Sequence, residues 1–287
     1  MTGPPTIARL SGGGRIWALG ALLGDDDALE ALARAVLSRW QPGDRLVVLG
    51  NMLGPNGDPA GTLDGLLRLR RRLMAANRGC GILFLRGAQE EMWQKALSLP
   101  FAMTPLEVLD WMLGRGLGSI IEAYGASVAD GRIACRNGPS EIARWTRGLR
   151  QRQAAHAGHA ELLNSLKRAA LANDGALLLS AAGVDTTRPL DEQGDAFWWS
   201  AQSDATLAAA LTGGADAGWT AATRLVRGAG PSADAAAGYG QVLTVTRPTG
   251  RRRARCRRRR AGANRTLRFD GLHLRQAGEF GGAVDPV

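Results

Sequence analysis

No apolar run in this 287-residue chain approaches the length needed to span a bilayer. The longest near the start, Ile16 to Leu23, is interrupted by Gly20, and hydrophobic residues make up only 45% of the whole, too few for a membrane protein. The N-terminus carries an early Arg9 and no small-residue cleavage pattern after an apolar stretch, so no signal peptide is expected. Cysteine is scarce: Cys80, Cys135 and Cys256 are too widely spaced for a disulfide framework or a zinc motif. Reduced thiols and a cytoplasmic location are the expectation. Histidine is equally scarce, with His156, His159 and His273 alone.

The net charge of +10 suggests a nucleic-acid binder until it is located. Residues 251–287 hold eleven Arg against Asp270, Glu279 and Asp285, which leaves the first 250 residues at only +2. Residues 251–260 are eight Arg, one Ala and one Cys, a run whose self-repulsion argues for a disordered tail. Such a tail can touch nucleic acid or an anionic surface weakly through counterion release. It lacks interleaved aromatics and any folded recognition motif, so sequence-specific reading is not expected.

What is present is an alternation of strand and helix with short links. Strands are predicted at Arg15–Leu19, Asp44–Leu49 and Gly81–Leu85. Asp25, Asp26 and Asp27 open the first helix, where they cap it and meet its positive dipole end. Leu63 to Met74 forms a second, basic-faced helix and Glu90–Leu97 a third. This βαβαβα pattern implies a parallel sheet with helices on both faces. The region from about 100 to 172 reads as a helical insert that ends in an amphipathic helix over Ala154–Leu171. Strands return at Ala176–Ser180, Ala222–Val226 and Gln241–Thr246. The chain thus divides into an N-terminal extension over 1–13, a domain over 14–250 and the tail.

In open α/β sheets function gathers in the loops at the carboxyl ends of strands. Here those loops are Gly20-Ala21-Leu22-Leu23-Gly24, Gly50-Asn51-Met52-Leu53-Gly54-Pro55-Asn56, Gly87-Ala88-Gln89-Glu90-Glu91, Ser180-Ala181-Ala182-Gly183-Val184-Asp185 and Arg227-Gly228-Ala229-Gly230-Pro231. Their order and spacing resemble the calcineurin-like metallophosphoesterases, especially bacterial serine/threonine phosphatases close to diadenosine tetraphosphatase. That family carries the blocks GDxHG, GDxxDRG, GNHE, HAG and a final GH. The flanks are similar too: Gly43 to Gly50 around the second strand, Phe84-Leu85-Arg86-Gly87, Arg188 to Gln193 followed by Phe197-Trp198-Trp199, and Gly238-Tyr239-Gly240. The resemblance covers about residues 14–247. It implies the α/β metallophosphoesterase fold, with central β-sheets flanked by helices. It also implies two divalent metals such as manganese, which activate a hydroxide for attack on phosphorus.

Carried over residue by residue, the resemblance leaves the ligand positions degenerate. The first block's Asp and His fall on Ala21 and Leu23. The second block's shared Asp falls on Asn51, its other Asp on Gly54 and its Arg on Pro55. The third block's Asn and His become Ala88 and Gln89, and the last two His become Ala181 and Ala229. The expectation is a non-catalytic pseudophosphatase without cofactor, acting as a binding or scaffold protein, with a protein partner possible. The alternatives are a divergent phosphoesterase that recruits Asp25, Glu90 or Asp185 to a relocated site, and nucleic-acid binding through the tail. In the family the positions of Glu90 and Asp185 support loop structure, and the same is expected here. His156 and His159, three apart, are read as ordinary helix histidines, at least partly exposed, and Arg68, Arg70, Arg71 and Arg72 as a solvated face.

Overall fold

The computed structural model describes residues 7–12, 14–77, 79–172, 175–212, 222–228, 237–239, 242–245, 267–269 and 272–276. Among them the strands are β1 (Ile7–Leu10), β2 (Ile16–Leu19), β3 (Arg45–Val48), β4 (Ile82–Phe84), β5 (Ala169–Ala172), β6 (Leu177–Ser180), β7 (Arg224–Arg227), β8 (Ala237–Tyr239), β9 (Val242–Thr244), β10 (Leu267–Phe269) and β11 (Leu272–Gln276). They form two sheets, in the orders β10-β11-β2-β3-β4 and β1-β5-β6-β7-β9-β8. Strands β2, β3 and β4 run parallel, which the consecutive β–α–β links of the first hundred residues require, and β11 adds in parallel to the outer side of β2.

The βαβαβα reading of that first segment holds, but its sheet does not carry helices on both faces. Ile16, Ala18, Val47, Leu49 and Leu85 instead meet Ala8, Leu10, Ala170, Ala172, Leu177, Leu179, Val226 and Leu243 of the second sheet in one core cluster. The two sheets therefore pack face to face, and each is covered by helices only on its outer side. This explains why β2, β3, β5 and β6 are buried at every position, because both faces of each strand lie against another layer.

The helix over the first sheet obeys its sequence signals. In α1 (Asp26–Leu37), the Asp25 side chain accepts a hydrogen bond from the Ala28 N–H at 2.9 Å, and Leu29, Leu32 and Val36 point inward. Next to it α2 (Pro59–Ala76) starts at a proline, where the missing N–H costs nothing. It buries Leu63, Leu66, Leu69 and Leu73 and leaves Arg68, Arg71 and Arg72 exposed, as the solvated-face reading expects, while Arg70 is half-buried. Helix α3 (Ala88–Leu97) follows β4, and α4 (Pro105–Leu113), α5 (Leu117–Ala123), α6 (Val128–Asn137), α7 (Pro139–Ala155) and α8 (His159–Asn164) build the insert. The outer face of the second sheet carries α9 (Ala196–Trp199) and α10 (Asp204–Thr212). No helix among the described residues is long and apolar enough to cross a membrane.

Two sequence expectations are corrected here, and two segments that the sequence reading placed at the chain ends contain strands. Residues 7–10, assigned to an extension, form β1 and pair in parallel with β5. The helix expected over Ala154–Leu171 is instead α7's last turn, a break, α8 and the start of β5; Gly158 (φ +86°) makes the break, and the short run Ala-Ala-Leu-Ala is apolar enough to fit strand or helix alike. His159 is fully buried rather than partly exposed, because that break turns it inward. Within the stretch expected to be disordered, Leu272–Gln276 pairs with β2 and Leu267–Phe269 pairs with it in turn.

One buried carboxylate fixes the entry to the first sheet. Asp44, 2% exposed, accepts from Arg15 Nε at 2.9 Å and Nη2 at 2.7 Å, from Trp17 Nε1 at 2.8 Å and from the Gln41 N–H at 3.0 Å. Burial works to raise its pKa, but the hydrogen bonds from Arg15, Trp17 and Gln41 and the Arg15 charge outweigh it, leaving a net depression. A depressed carboxylate contributes stability in full above its ordinary value and loses it as pH falls through the folded value. Asp44→Ala is expected to cost about 3 kcal/mol at neutral pH, since it strands the Trp17 N–H and unpairs Arg15. Urea melts at pH 7 and below pH 4 check this: the gap between wild type and variant should narrow in acid.

Candidate functional site

The strand-end loops singled out by sequence converge. The Leu22 and Leu23 N–H groups both donate to the Asn51 carbonyl, at 3.0 and 2.8 Å, which ties the loop after β2 to the loop after β3. The Ala21 N–H reaches the Gly228 carbonyl at 3.4 Å, and the Gly228 N–H reaches the carbonyls of Ser180 and Ala181 at 3.2 and 3.1 Å. The loops after β6 and β7 thereby join the cluster. The loop after β4 closes it, with the Gln89 N–H donating to Asn51 Oδ1 at 3.1 Å. Ala21, Leu23, Asn51, Gly54, Ala88, Gln89 and Ala181 are thus brought to one end of the sheets. Pro55 lies in the same loop as Gly54, against Gly116 of the insert. Ala229 lies outside the described residues.

This convergence rests on Glu90, which is 0% exposed. Its Oε2 accepts from the Asn51 N–H at 2.8 Å and the Gly87 N–H at 2.9 Å, and its Oε1 accepts from the Leu53 N–H at 2.9 Å. One carboxylate therefore cross-ties two loops and the start of α3, as the loop-support reading of this residue expects. Burial raises its pKa, against the backbone N–H groups that favour the ionised form. Asp185 serves a similar local purpose, since its Oδ1 accepts from the Thr187 N–H at 2.9 Å and the Thr187 hydroxyl at 2.6 Å.

Backbone strain gathers at the same place. Among the described residues Leu23 (φ 55°) and Asn51 (φ 51°) are the non-glycine residues in the left-handed region. Asn tolerates that conformation, whereas a bulky Leu there is an outlier. The glycines allow a tight approach: a Cβ on Gly87 would stand 2.2 Å from Asn51 N, and one on Gly228 would stand 2.7 Å from Leu49 Cβ.

The side chains at these positions offer little polarity. Ala181 is fully buried and Ala21 is 7% exposed. Asn51 Oδ1 is engaged with α3, and Gln89 Nε2 donates to the Arg115 carbonyl at 3.0 Å, while Gln89 Oε1 is buried without a partner. Sequence reasoning missed Arg227. It is 1% exposed and donates to Asp204 Oδ1 at 2.6 Å, Thr244 Oγ1 at 2.9 Å, and the carbonyls of Ala182 and Gln202 at 3.0 and 2.8 Å. This buried guanidinium anchors the last two loops to α10. No local sequence signal marks it, because Asp204 lies 23 residues away.

Glu90→Ala should strand three buried N–H groups and cost about 3 kcal/mol or more, read as a lowered urea midpoint. Gly87→Ala should cost about 1–3 kcal/mol by forcing the two loops apart. Gly148→Ala, in mid-α7 with open space where its Cβ would go, should instead stabilise by about 0.5–1 kcal/mol in the same melts.

No family profile and no curated protein sequence matches the chain. Solved structures do. A cold-active protein-tyrosine phosphatase of a psychrophile Shewanella sp. aligns over 84% of this chain and 73% of its own length, at 14% identity and a TM-score of 0.50. A further structure of a cold-active protein tyrosine phosphatase aligns over 84% and 71%, at 15% identity and a TM-score of 0.49. A provisionally assigned diadenosine tetraphosphatase aligns over 65% of this chain at 17% identity and a TM-score of 0.35; this chain spans 59% of that protein's length. The chain therefore has the mixed α/β, phosphoesterase-like fold expected from its sequence, with central sheets flanked by helices.

Proposed function

We propose that this chain is a pseudophosphatase, a phosphoesterase-fold protein that works by binding or scaffolding rather than by hydrolysis. The observation that carries this reading is the donor set at the converged strand ends. Two divalent metals held close together need anionic oxygens and imidazoles as ligands. Ala21, Leu23, Pro55, Ala88 and Ala181 end in carbon, and Gly54 has no side chain. Asn51 and Gln89 are neutral amides, each already hydrogen-bonded to backbone. Such a set does not fit a pair of divalent cations.

The carboxylates that a relocated site would recruit are also engaged. Asp25 caps α1, Glu90 clamps the loops and Asp185 holds its own turn. Moving any of them to a metal would release buried or terminal N–H groups. A binding role is supported by Gln89 Oε1, a buried acceptor among the loop ends that a bound polar group could satisfy. Phe101 at 87% and Met103 at 98% exposure are apolar surface that a protein partner could cover. A cytoplasmic setting belongs to the same proposal, with Cys80 and Cys135 free thiols.

The purified chain, supplied with Mn²⁺ and a generic aryl phosphate, should give no turnover above the metal-only blank. Manganese-dependent hydrolysis that disappears in Asn51→Ala would overturn the proposal.

A further inference from the structure

The helical layer holds a different cluster of ligating side chains, none of them in the strand-end loops. Helix α7 ends at His156, whose backbone has left the helical region (φ −91°, ψ 113°). The next turn is closed by the His159 N–H donating to the His156 carbonyl at 3.2 Å. Gly158 lies in the left-handed region there, where a Cβ would crowd Leu67 Cδ1 at 3.1 Å. This turn places the two imidazoles side by side, with ring centroids 4.9 Å apart and planes 23° apart. Asp64, projecting from α2, completes the group with Oδ1 at 3.1 Å from His159 Nε2.

One ligating atom from each of Asp64, His156 and His159 lies within 4.8 Å of the others. We propose that these three residues form a zinc site, with water in the fourth position. Zinc holds imidazole nitrogen and carboxylate oxygen at about 2.0–2.2 Å, so donors around a tetrahedral ion stand about 3.3 Å apart. The Asp64–His159 pair already has that spacing. The remaining gap closes by rotation of His156, which is half-exposed and whose ring nitrogens have no hydrogen-bond partner among the described residues. Two imidazoles with one carboxylate select a borderline divalent ion over calcium or magnesium, which prefer all-oxygen shells.

The surroundings suit a metal-bearing imidazole. His159 is fully buried, and its Nδ1 lies 3.0 Å from the Tyr124 hydroxyl. With Nδ1–H donating to Tyr124, the Nε2 lone pair points to the Asp64 side and is free for the ion; a second partner of this kind fixes both tautomer and ring orientation. Tyr124 is itself held by stacking on Trp93 at 5.0 Å, and the Trp93 Nε1–H donates to Gln153 of α7 at 2.9 Å. Tyr124 is a positioning residue for this site. The bound ion would staple the turn between α7 and α8 onto α2, coupling the insert to the layer that covers the first sheet.

The test uses the full chain stripped by chelator and titrated calorimetrically with Zn²⁺, with Co²⁺ as the spectroscopic probe. One ion per chain, a raised melting temperature and the visible bands of four-coordinate Co²⁺ are expected. His156→Ala and Asp64→Asn, both at partly exposed positions, should weaken binding by at least about 100-fold with an unchanged circular dichroism spectrum. Tyr124→Phe should weaken it by about 10–100-fold. Asn51→Ala should leave stoichiometry and affinity as they are. Absence of stoichiometric binding, or equal affinity in His156→Ala and Asp64→Asn, overturns the site. Loss of binding in Asn51→Ala instead would place the ion at the strand ends and overturn it as well.

Discussion

The carboxylate of Glu90 is the interaction on which the arrangement of the strand ends depends. Among the described residues it has no cationic partner, and backbone N–H groups from two loops and a helix start are what satisfy it. Each of those N–H groups belongs to a segment that cannot form regular structure, so none could be buried without an acceptor. A single side chain thereby replaces several missing backbone partners. The glycines complete the same design from the steric side, because Gly87 and Gly228 let main chains approach to distances that no side chain would permit. The strained left-handed conformation at Leu23 persists inside this framework, where the hydrogen bonds of its neighbours over-determine it.

The contrast between framework and lining is what gives the functional reading its shape. The framework is polar and specific: Asp44 with Arg15 and Trp17, Glu90 with three N–H groups, Arg227 with Asp204 and two carbonyls. The lining toward which it aims its loops is largely alkyl. A fold of this kind usually stores its cost of organisation against the chemistry at its centre.

Much of the fold was legible because parallel strands buried on both faces leave continuous apolar runs, and Asp25 marks a helix start; the second helix begins at Pro59, four residues before the Leu63 at which its apolar spacing was read. The converged loops were legible from the glycines that end each strand. The second sheet was harder to read. Ala169–Ala172 has no alternation and no β-branched residue, so only its position between two other strands decides its state. Arg227 was invisible for a related reason, since a buried guanidinium is defined by partners distant in sequence. His156 and His159 misled in the opposite direction: a three-residue spacing suggested an unbroken helix, while Gly158 between them supplied the turn that buries one and stacks the other.

The pairing of β1 with β5 has a consequence for the order of events during synthesis. Residues 16–97 hold β2, β3 and β4 with α1, α2 and α3 in one contiguous stretch, and their mutual contacts are local. β1 precedes them, yet its partner β5 lies beyond the whole insert. The first module can therefore assemble on the emerging chain while Ile16, Ala18, Val47 and Leu49 still face solvent. That apolar face stays uncovered until residue 172 and the strands after it arrive, a long-range closure that is intrinsically slow. Through that interval the apolar face is open to aggregation, and the length of the helical insert between β4 and β5 sets how long it lasts.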